Sequence, residues 1–380
     1  MPVPQNFVAT SGTHFTLNGR PFYFSGANNY YLGHRSQAML DAVLDRAQAM
    51  QLQVIRTWAF LDRGSLDGAV ASVDPPGSKA GVYYQYWDPV ARAPAYNDGA
   101  DGLERLDAVV HAASLRGLKL ILPLINNWKD FGGMDQYVTW FGLQHHTDFF
   151  THPDTRRAYK NWVSHLLNRK NIYTGTLYKD EPAIMAWELT NELRGKGSID
   201  KLNASRIDIA PLTGWIAEMS SFVKQTDPNH LVAIGDEGLL NRSRGGDWIY
   251  NGSLGADFDA WLGISGIDFG TFHSYPENWG KSAAWGSQWI EEHLVSARSA
   301  GKPVLLEEYG WKNHATRDAT FGSWLDTVAT HDGAGDLVWM LAGPRDDGTP
   351  YPDYDQYTIY SGADVPSIAL HAARMLARSG

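Results

Sequence analysis

The sequence predicts an α/β fold of the (β/α)8 TIM-barrel type, with residues 1–380 forming a single domain and long βα loops shaping a cleft. Three observations predict it. Short apolar runs recur along the chain, each ending in polar or aromatic residues. Between them lie stretches with apolar residues three or four apart, the spacing of one helical face. The longest irregular segments all follow a strand and precede a helix, which places them at the C-terminal face where barrels build their sites.

Taken in order, Phe22 to Asn29 is the first expected strand, and Met39, Leu40, Val43, Leu44 and Ala47 line the helix after it. Val54 to Phe60 is the second strand, followed by the helical face Leu103, Leu106, Val109 and Val110, which stops at Gly117. Lys119 to Asn126 is the third, with Tyr159, Trp162, Val163 and Leu166 behind it. The fourth, Ile184 to Glu192, is followed by Ile216, Met219, Phe222 and Val223. Leu231 to Glu237 and Phe269 to Pro276 are the fifth and sixth, and Trp289, Ile290, His293 and Leu294 form a helix stopped by Gly301. Val304 to Tyr309, the helical face Phe321, Trp324, Leu325 and Val328, the strand Leu337 to Ala342 and a helix from Ser367 complete the alternation. The long loops are Asp62 to Asp101, which includes Pro75-Pro76-Gly77 and the aromatic cluster Tyr83, Tyr84, Tyr86 and Trp87, then Asn127 to Phe150 and Asn241 to Trp261.

Composition narrows the function. With 43% hydrophobic and 19% charged residues the chain buries a large core, and no linker or composition break divides it. A net charge of -10 argues against nucleic acid or an anionic membrane as partner and suits a neutral substrate. No run of apolar residues is long enough to span a bilayer, and a soluble monomer is expected. Cysteine is absent, so neither disulfides nor a thiolate nucleophile exist. The start, Met1-Pro2-Val3-Pro4-Gln5, lacks the basic and apolar regions of a signal peptide; a secreted protein would have lost it.

Two strand ends carry acid. Ala186-Trp187-Glu188-Leu189-Thr190-Asn191-Glu192 and Val304-Leu305-Leu306-Glu307-Glu308-Tyr309 both run from apolar residues into carboxylates. A closed barrel brings such ends together, and a carboxyl pair is the minimum equipment for cleaving a glycosidic bond. Strand parity does not choose between the neighbours Glu307 and Glu308. Arg56, inside Val54-Ile55-Arg56-Thr57-Trp58, needs a carboxylate partner if buried and would hold a nucleophile ionised. His273 and Tyr275, two apart on one strand, project to one side. Trp58, Asn126, Trp128 and Trp339 stand at strand ends as candidate sugar contacts, whereas Trp162, Trp289 and Trp324 lie on helices and read as packing. His145, His146, His152 and Asp154 have no spacing that converges on a metal, so neither metal nor cofactor is expected.

The motifs Trp187-Glu188-Leu189-Thr190-Asn191-Glu192-Leu193-Arg194, Thr271-Phe272-His273-Ser274-Tyr275-Pro276 with Trp279-Gly280, and Leu306-Glu307-Glu308-Tyr309-Gly310 closely resemble the endo-β-1,4-mannanases of glycoside hydrolase family five, clan A. Asn28-Asn29-Tyr30-Tyr31-Leu32, Asn126-Asn127-Trp128 with Phe131-Gly132-Gly133, and Gly235-Asp236-Glu237-Gly238 extend the resemblance over nearly the whole chain. It implies that Glu192 is the general acid/base and Glu308 the nucleophile of a retaining reaction. It further implies that Asn191 binds the sugar 2-hydroxyl, that Arg56, His273 and Tyr275 tune the carboxylates, and that Trp128, Trp279 and Trp339 line subsites with Arg194 on the leaving-group side. The substrate implied is β-mannan or a manno-oligosaccharide, met outside the cell. Leu193 stands where these enzymes commonly carry Pro. In that mechanism Glu192 must be neutral, its pKa raised by Glu308 and by burial. Exo-acting β-mannosidase, β-1,4-glucanase and a non-catalytic carbohydrate-binding protein are the alternatives; the last requires loss of a carboxylate, and both are present.

Overall fold

The computed structural model describes residues 4–63, 81–198, 207–242 and 245–379. Its centre is a sheet of eight strands: β1 (Phe24–Asn28), β2 (Val54–Arg56), β3 (Lys119–Pro123), β4 (Ile184–Glu188), β5 (Leu231–Ala233), β6 (Gly270–Ser274), β7 (Val304–Tyr309) and β8 (Gly335–Val338). Neighbours pair in parallel in the order β5-β4-β3-β2-β1-β8-β7-β6. The remaining seam is bridged where the Asp268 N–H donates to the Val232 carbonyl at 2.8 Å and the His273 N–H to the Glu237 carbonyl at 3.2 Å. That closes the barrel.

Outer helices follow the strands: α1 (Gln37–Ala49), α2 (Leu103–Leu115), α3 (Pro153–Leu167), α4 (Ile209–Thr226), α5 (Phe258–Leu262), α6 (Ala283–Ala300), α7 (His314–Thr330) and α8 (Pro366–Arg378). They bury the faces that periodicity predicts, among them Met39, Leu40, Val43, Leu44 and Ala47 on α1. Capping agrees: Ser36 Oγ accepts the Met39 N–H, and Gly301 ends α6 in the left-handed region at φ +64°. Trp162, Trp289 and Trp324 are buried between helices and barrel.

Apart from Val304–Tyr309, whose bounds coincide, the expected strands are longer than the observed ladders. The regular ladders stop at Arg56, Pro123, Glu188 and Ala233, and beyond them pairing is irregular, as in the parallel bridge of Asn126 with Asn191, where the rim residues form the site. The long loops carry structure of their own. Antiparallel strands Gln85–Asp88 and Ala93–Tyr96 lie after β2, helices Gly133–Trp140 and Asp148–Thr151 after β3, and all of α5 but Leu262 in the segment expected to be loop after β5. Pro75-Pro76-Gly77 lies outside the described residues.

An unexpected feature seals the opposite end. Val8–Ser11 pairs antiparallel with His14–Leu17, and buried Phe15 stands 5.6 Å from the Phe24 ring and 5.2 Å from Phe269 at the strand starts. Here too the last helix meets the first strand: Ser379 Oγ accepts the Tyr23 N–H at 2.9 Å and donates to the Tyr23 carbonyl at 3.0 Å.

Candidate active site

Glu192 leaves β4 through an irregular turn and sits at φ +57°, a left-handed conformation that a non-glycine residue adopts only when its surroundings hold it. The holding contact is its N–H, which donates to the Gly235 carbonyl at 2.6 Å. Gly235 is itself at φ +79°, and a Cβ there would meet the Thr190 carbonyl oxygen at 1.9 Å. Gly235→Ala is therefore expected to displace Glu192 and lower activity by about tenfold or more while the barrel still folds, checked by kcat alongside circular dichroism.

On the facing side, the pairing of β6 with β7 runs Phe272 to Leu306 and then His273 to Glu308, skipping Glu307. This irregularity turns both neighbouring acids inward. Glu308 lines the cleft, whereas Glu307 is buried beneath it and does not. Parity fails to separate them because the ladder breaks its own alternation there.

Arg56 is fully buried and ties the site together. Its Nη1 donates to Glu308 Oε1 at 2.6 Å and to Asn28 at 3.2 Å, Nη2 to Asn191 Oδ1 at 2.8 Å, and Nε to Glu188 Oε2 at 2.8 Å. Glu308 Oε2 accepts the Tyr275 hydroxyl at 2.6 Å. His273 lies between the acids: Nδ1 is 2.9 Å from Glu192 Oε1 and 3.5 Å from Glu308 Oε2, and Nε2 is 3.2 Å from Glu307 Oε2. Trp128 Nε1 donates to Glu192 Oε2 at 2.5 Å. One ligand atom from each of Glu192, His273 and Glu308 lies within 4.8 Å of the others. The two cations Arg56 and His273 already compensate these carboxylates, so the set is not a cage for a further cation.

Protonation follows from this geometry. Burial pushes Glu308 above its ordinary value, and His273 and Arg56 offset this only in part. Burial would lower His273, yet the surrounding carboxylates Glu308, Glu192 and Glu307 raise it well above its ordinary value. Burial would likewise raise Glu192, but the hydrogen bond and charge of His273, with Arg194 and Trp128, hold it down to about 2. The expectation of a raised Glu192 is therefore not met in the free site. The proton stands on His273, one hydrogen bond away, and the two groups titrate as a unit.

The cleft above these groups encloses about 550 Å³, within the range of ligand sites. Trp58, Asn126, Trp128, Asn191, Tyr275, Trp279 and Trp339 line it, together with Glu192 and Glu308. Arg56, His273 and Arg194 do not line it; the first two are buried below, and Arg194 is paired with Glu237 between the rings of Trp128 and Trp248. Asn191 is held by Arg56 and by Asn126 Oδ1, to which its Nδ2 donates at 3.0 Å. Sequence reasoning missed Tyr354, Asp355 and Tyr357, which approach from the segment after β8; Asp355 accepts the Trp339 indole N–H at 2.7 Å. It also missed Tyr30, whose ring stacks 6.1 Å from Trp339. Their only sequence signal is a tyrosine-rich stretch from Tyr351 to Tyr360. His146 is engaged with Asp135 and Asn127, and His152 with Asp154, so the histidines of that loop do not converge.

A family model described as GH family 5 beta-mannosidase-like matches residues 5–332. The chain belongs to glycoside hydrolase family 5. Among relatives in this family, the probable mannan endo-1,4-beta-mannosidase C of Aspergillus terreus is 39% identical over 357 residues, covering 89% of this chain and 84% of that protein. Mannan endo-1,4-beta-mannosidase A of Aspergillus aculeatus is 38% identical over 363 residues, covering 93% and 88%. The crystal structure of the endo-1,4-beta-mannanase from Rhizomucor miehei superposes with a TM-score of 0.88 at 41% identity, covering 98% of this chain and 99% of that one. As a family 5 glycoside hydrolase the chain has the (β/α)8 architecture that this superposition matches, its eight parallel strands meeting at the seam bridged by the two hydrogen bonds above.

Proposed function

We propose that this family 5 enzyme cleaves internal β-1,4-mannosidic bonds in mannans with retention of configuration. One observation carries the reaction type: Glu192 and Glu308 approach within 4.8 Å, on the scale of the roughly 5 to 5.5 Å separation of retaining enzymes and far from the roughly 6.5 Å or more that an inverting water needs. Mannan as substrate is supported by relatives that are named mannan endo-1,4-beta-mannosidases along most of their length.

Glu308, ionised through Arg56 and Tyr275, attacks the anomeric carbon while the proton shared by His273 and Glu192 passes from Glu192 to the departing oxygen. Glu192, now a base, takes a proton from the water that opens the glycosyl ester. Asn191 faces the cleft where a 2-hydroxyl would lie. Two aromatic groups flank the acids, one of Trp339, Trp58 and Tyr30, the other of Trp128 and Trp279, which suits sugars bound on both sides of the broken bond. A polymer of this size does not cross a membrane, so the enzyme acts outside the cell, and we assign residues 1–380 to one catalytic unit acting as a monomer.

Chromatography of products from mannan, mannohexaose and cellohexaose tests this. Internal cleavage of mannohexaose is expected; release of mannose alone would make the enzyme an exo-mannosidase, and cleavage of cellohexaose alone would make it a glucanase. The acid limb of kcat/KM is expected above pH 4.5, because burial raises Glu308 from that ordinary value and activity is lost as falling pH protonates it. A limb below that pH would contradict a buried nucleophile.

A further inference from the structure

Beneath the reacting acids lies a second carboxyl pair, Glu188 at the end of β4 and Glu307 at the irregularity of β7, both fully buried. Each receives one strong N–H: Arg56 Nε reaches Glu188 Oε2 at 2.8 Å, and His273 Nε2 reaches Glu307 Oε2 at 3.2 Å. Arg56 Nη2 is 3.5 Å from Glu307 and spends its better hydrogen bond on Asn191. The second oxygen of each carboxyl, Glu188 Oε1 and Glu307 Oε1, meets no hydrogen-bond partner among the described residues, although both carboxyls are gathered on the one guanidinium of Arg56. Two buried carboxyls gathered on one guanidinium, each with an unpartnered oxygen, do not both stay ionised; one proton held between those oxygens satisfies both.

We propose that Glu188 and Glu307 hold a single shared proton, Glu188 neutral and Glu307 ionised, and act as positioning residues for the two reacting acids. Glu188 accepts from Arg56, which grips Glu308; Glu307 accepts from His273, which grips Glu192. The assignment follows from the neighbours. The ionised member is the one facing the imidazolium, where its charge keeps Nε2–H donating downward and Nδ1–H donating upward to Glu192. The neutral member accepts at one oxygen from Arg56 and donates from the other to Glu307. Burial raises Glu188 well above its ordinary value, whereas Arg56 and His273 overcome burial at Glu307 and lower it.

This inference rests on the roles proposed for Glu192 and Glu308, and it makes an asymmetric prediction. Glutamine reproduces a neutral acid at position 188, its oxygen accepting from Arg56 and its amide donating to Glu307. At position 307 glutamine removes the charge that holds the imidazolium. Steady-state kinetics across pH, on whichever β-1,4 hexasaccharide the wild type cleaves, should therefore separate the two variants. Glu188→Gln is expected to keep kcat within a few-fold of wild type. Glu307→Gln is expected to lose about tenfold or more in kcat with little change in KM. Its alkaline limb should move down by about one pH unit, because removing a negative neighbour weakens the hold of the His273 and Glu192 unit on its proton, while the other acids that act on His273, Glu308 and the buried Asp236, are left in place. Infrared difference spectra between the unliganded wild type and Glu188→Gln at neutral pH provide a readout without turnover: the wild type should carry one protonated carboxyl band more than the variant, over the bands that both share from the buried Asp62 and Asp236, which burial raises to about 8 and about 7. Equal loss in both variants, an unmoved alkaline limb in Glu307→Gln, or protonated carboxyl absorption that Glu188→Gln leaves undiminished would overturn the proposal. Should Glu188→Gln fail to fold, the limb shift in Glu307→Gln decides it. If Glu308→Ala retained activity, the parent mechanism would fail while the infrared test of the pair still stood.

Discussion

Glu308→Ala is expected to lower kcat on mannohexaose by roughly 10⁴-fold or more, the scale on which loss of a covalent nucleophile acts, with the fold intact. The residue stands at the rim end of β7 with one oxygen on Arg56 and the other on Tyr275, so no neighbouring acid occupies its place. Glu307 is buried below and faces His273, which prevents it from substituting. Azide should rescue the alanine variant by attacking from the vacated side, giving the glycosyl azide of inverted configuration. An unrescued variant with residual activity close to wild type would remove Glu308 from the nucleophile's role.

Arg56→Ala is expected to be the most damaging substitution for stability, costing about 3 to 5 kcal/mol, because it strands buried charge and not merely a hydrogen bond. The guanidinium is wholly enclosed and contacts Glu188, Glu308, Asn191 and Asn28. Without it those carboxyls have His273 as their remaining near cation, and the first of them to respond would be Glu308, whose pKa would climb further. Urea unfolding should show the loss as a lower midpoint, and the surviving activity should have its acid limb displaced to higher pH. An unchanged midpoint would contradict the stranding of buried charge.

Much of this was legible in the chain because barrel enzymes write chemistry at strand ends. The apolar runs into Glu192 and Glu308, the lone arginine in Val54-Ile55-Arg56 and the spacing of His273 and Tyr275 each identify a side chain that the structure brings into one network. What stayed hidden depends on contacts without a local signal. The protonation of Glu192 is set by His273, 81 positions away, and the division of labour between Glu307 and Glu308 by a broken ladder with β6. Tyr354, Asp355 and Tyr357 reach the cleft only through the course of an irregular segment. The N-terminal hairpin did leave a trace, since Asn18-Gly19 is a two-residue turn signal between the paired segments His14–Leu17 and Arg20–Pro21.

The tie between Tyr23 and Ser379 gives the scaffold a practical polarity. Both arms of the described chain converge on the floor of the barrel, behind the Phe15 plug, while the acids open on the opposite rim. A peptide bridge joining those arms, or an anchor fixing the molecule to a solid support there, would leave a polysaccharide strand free to thread across the open mouth.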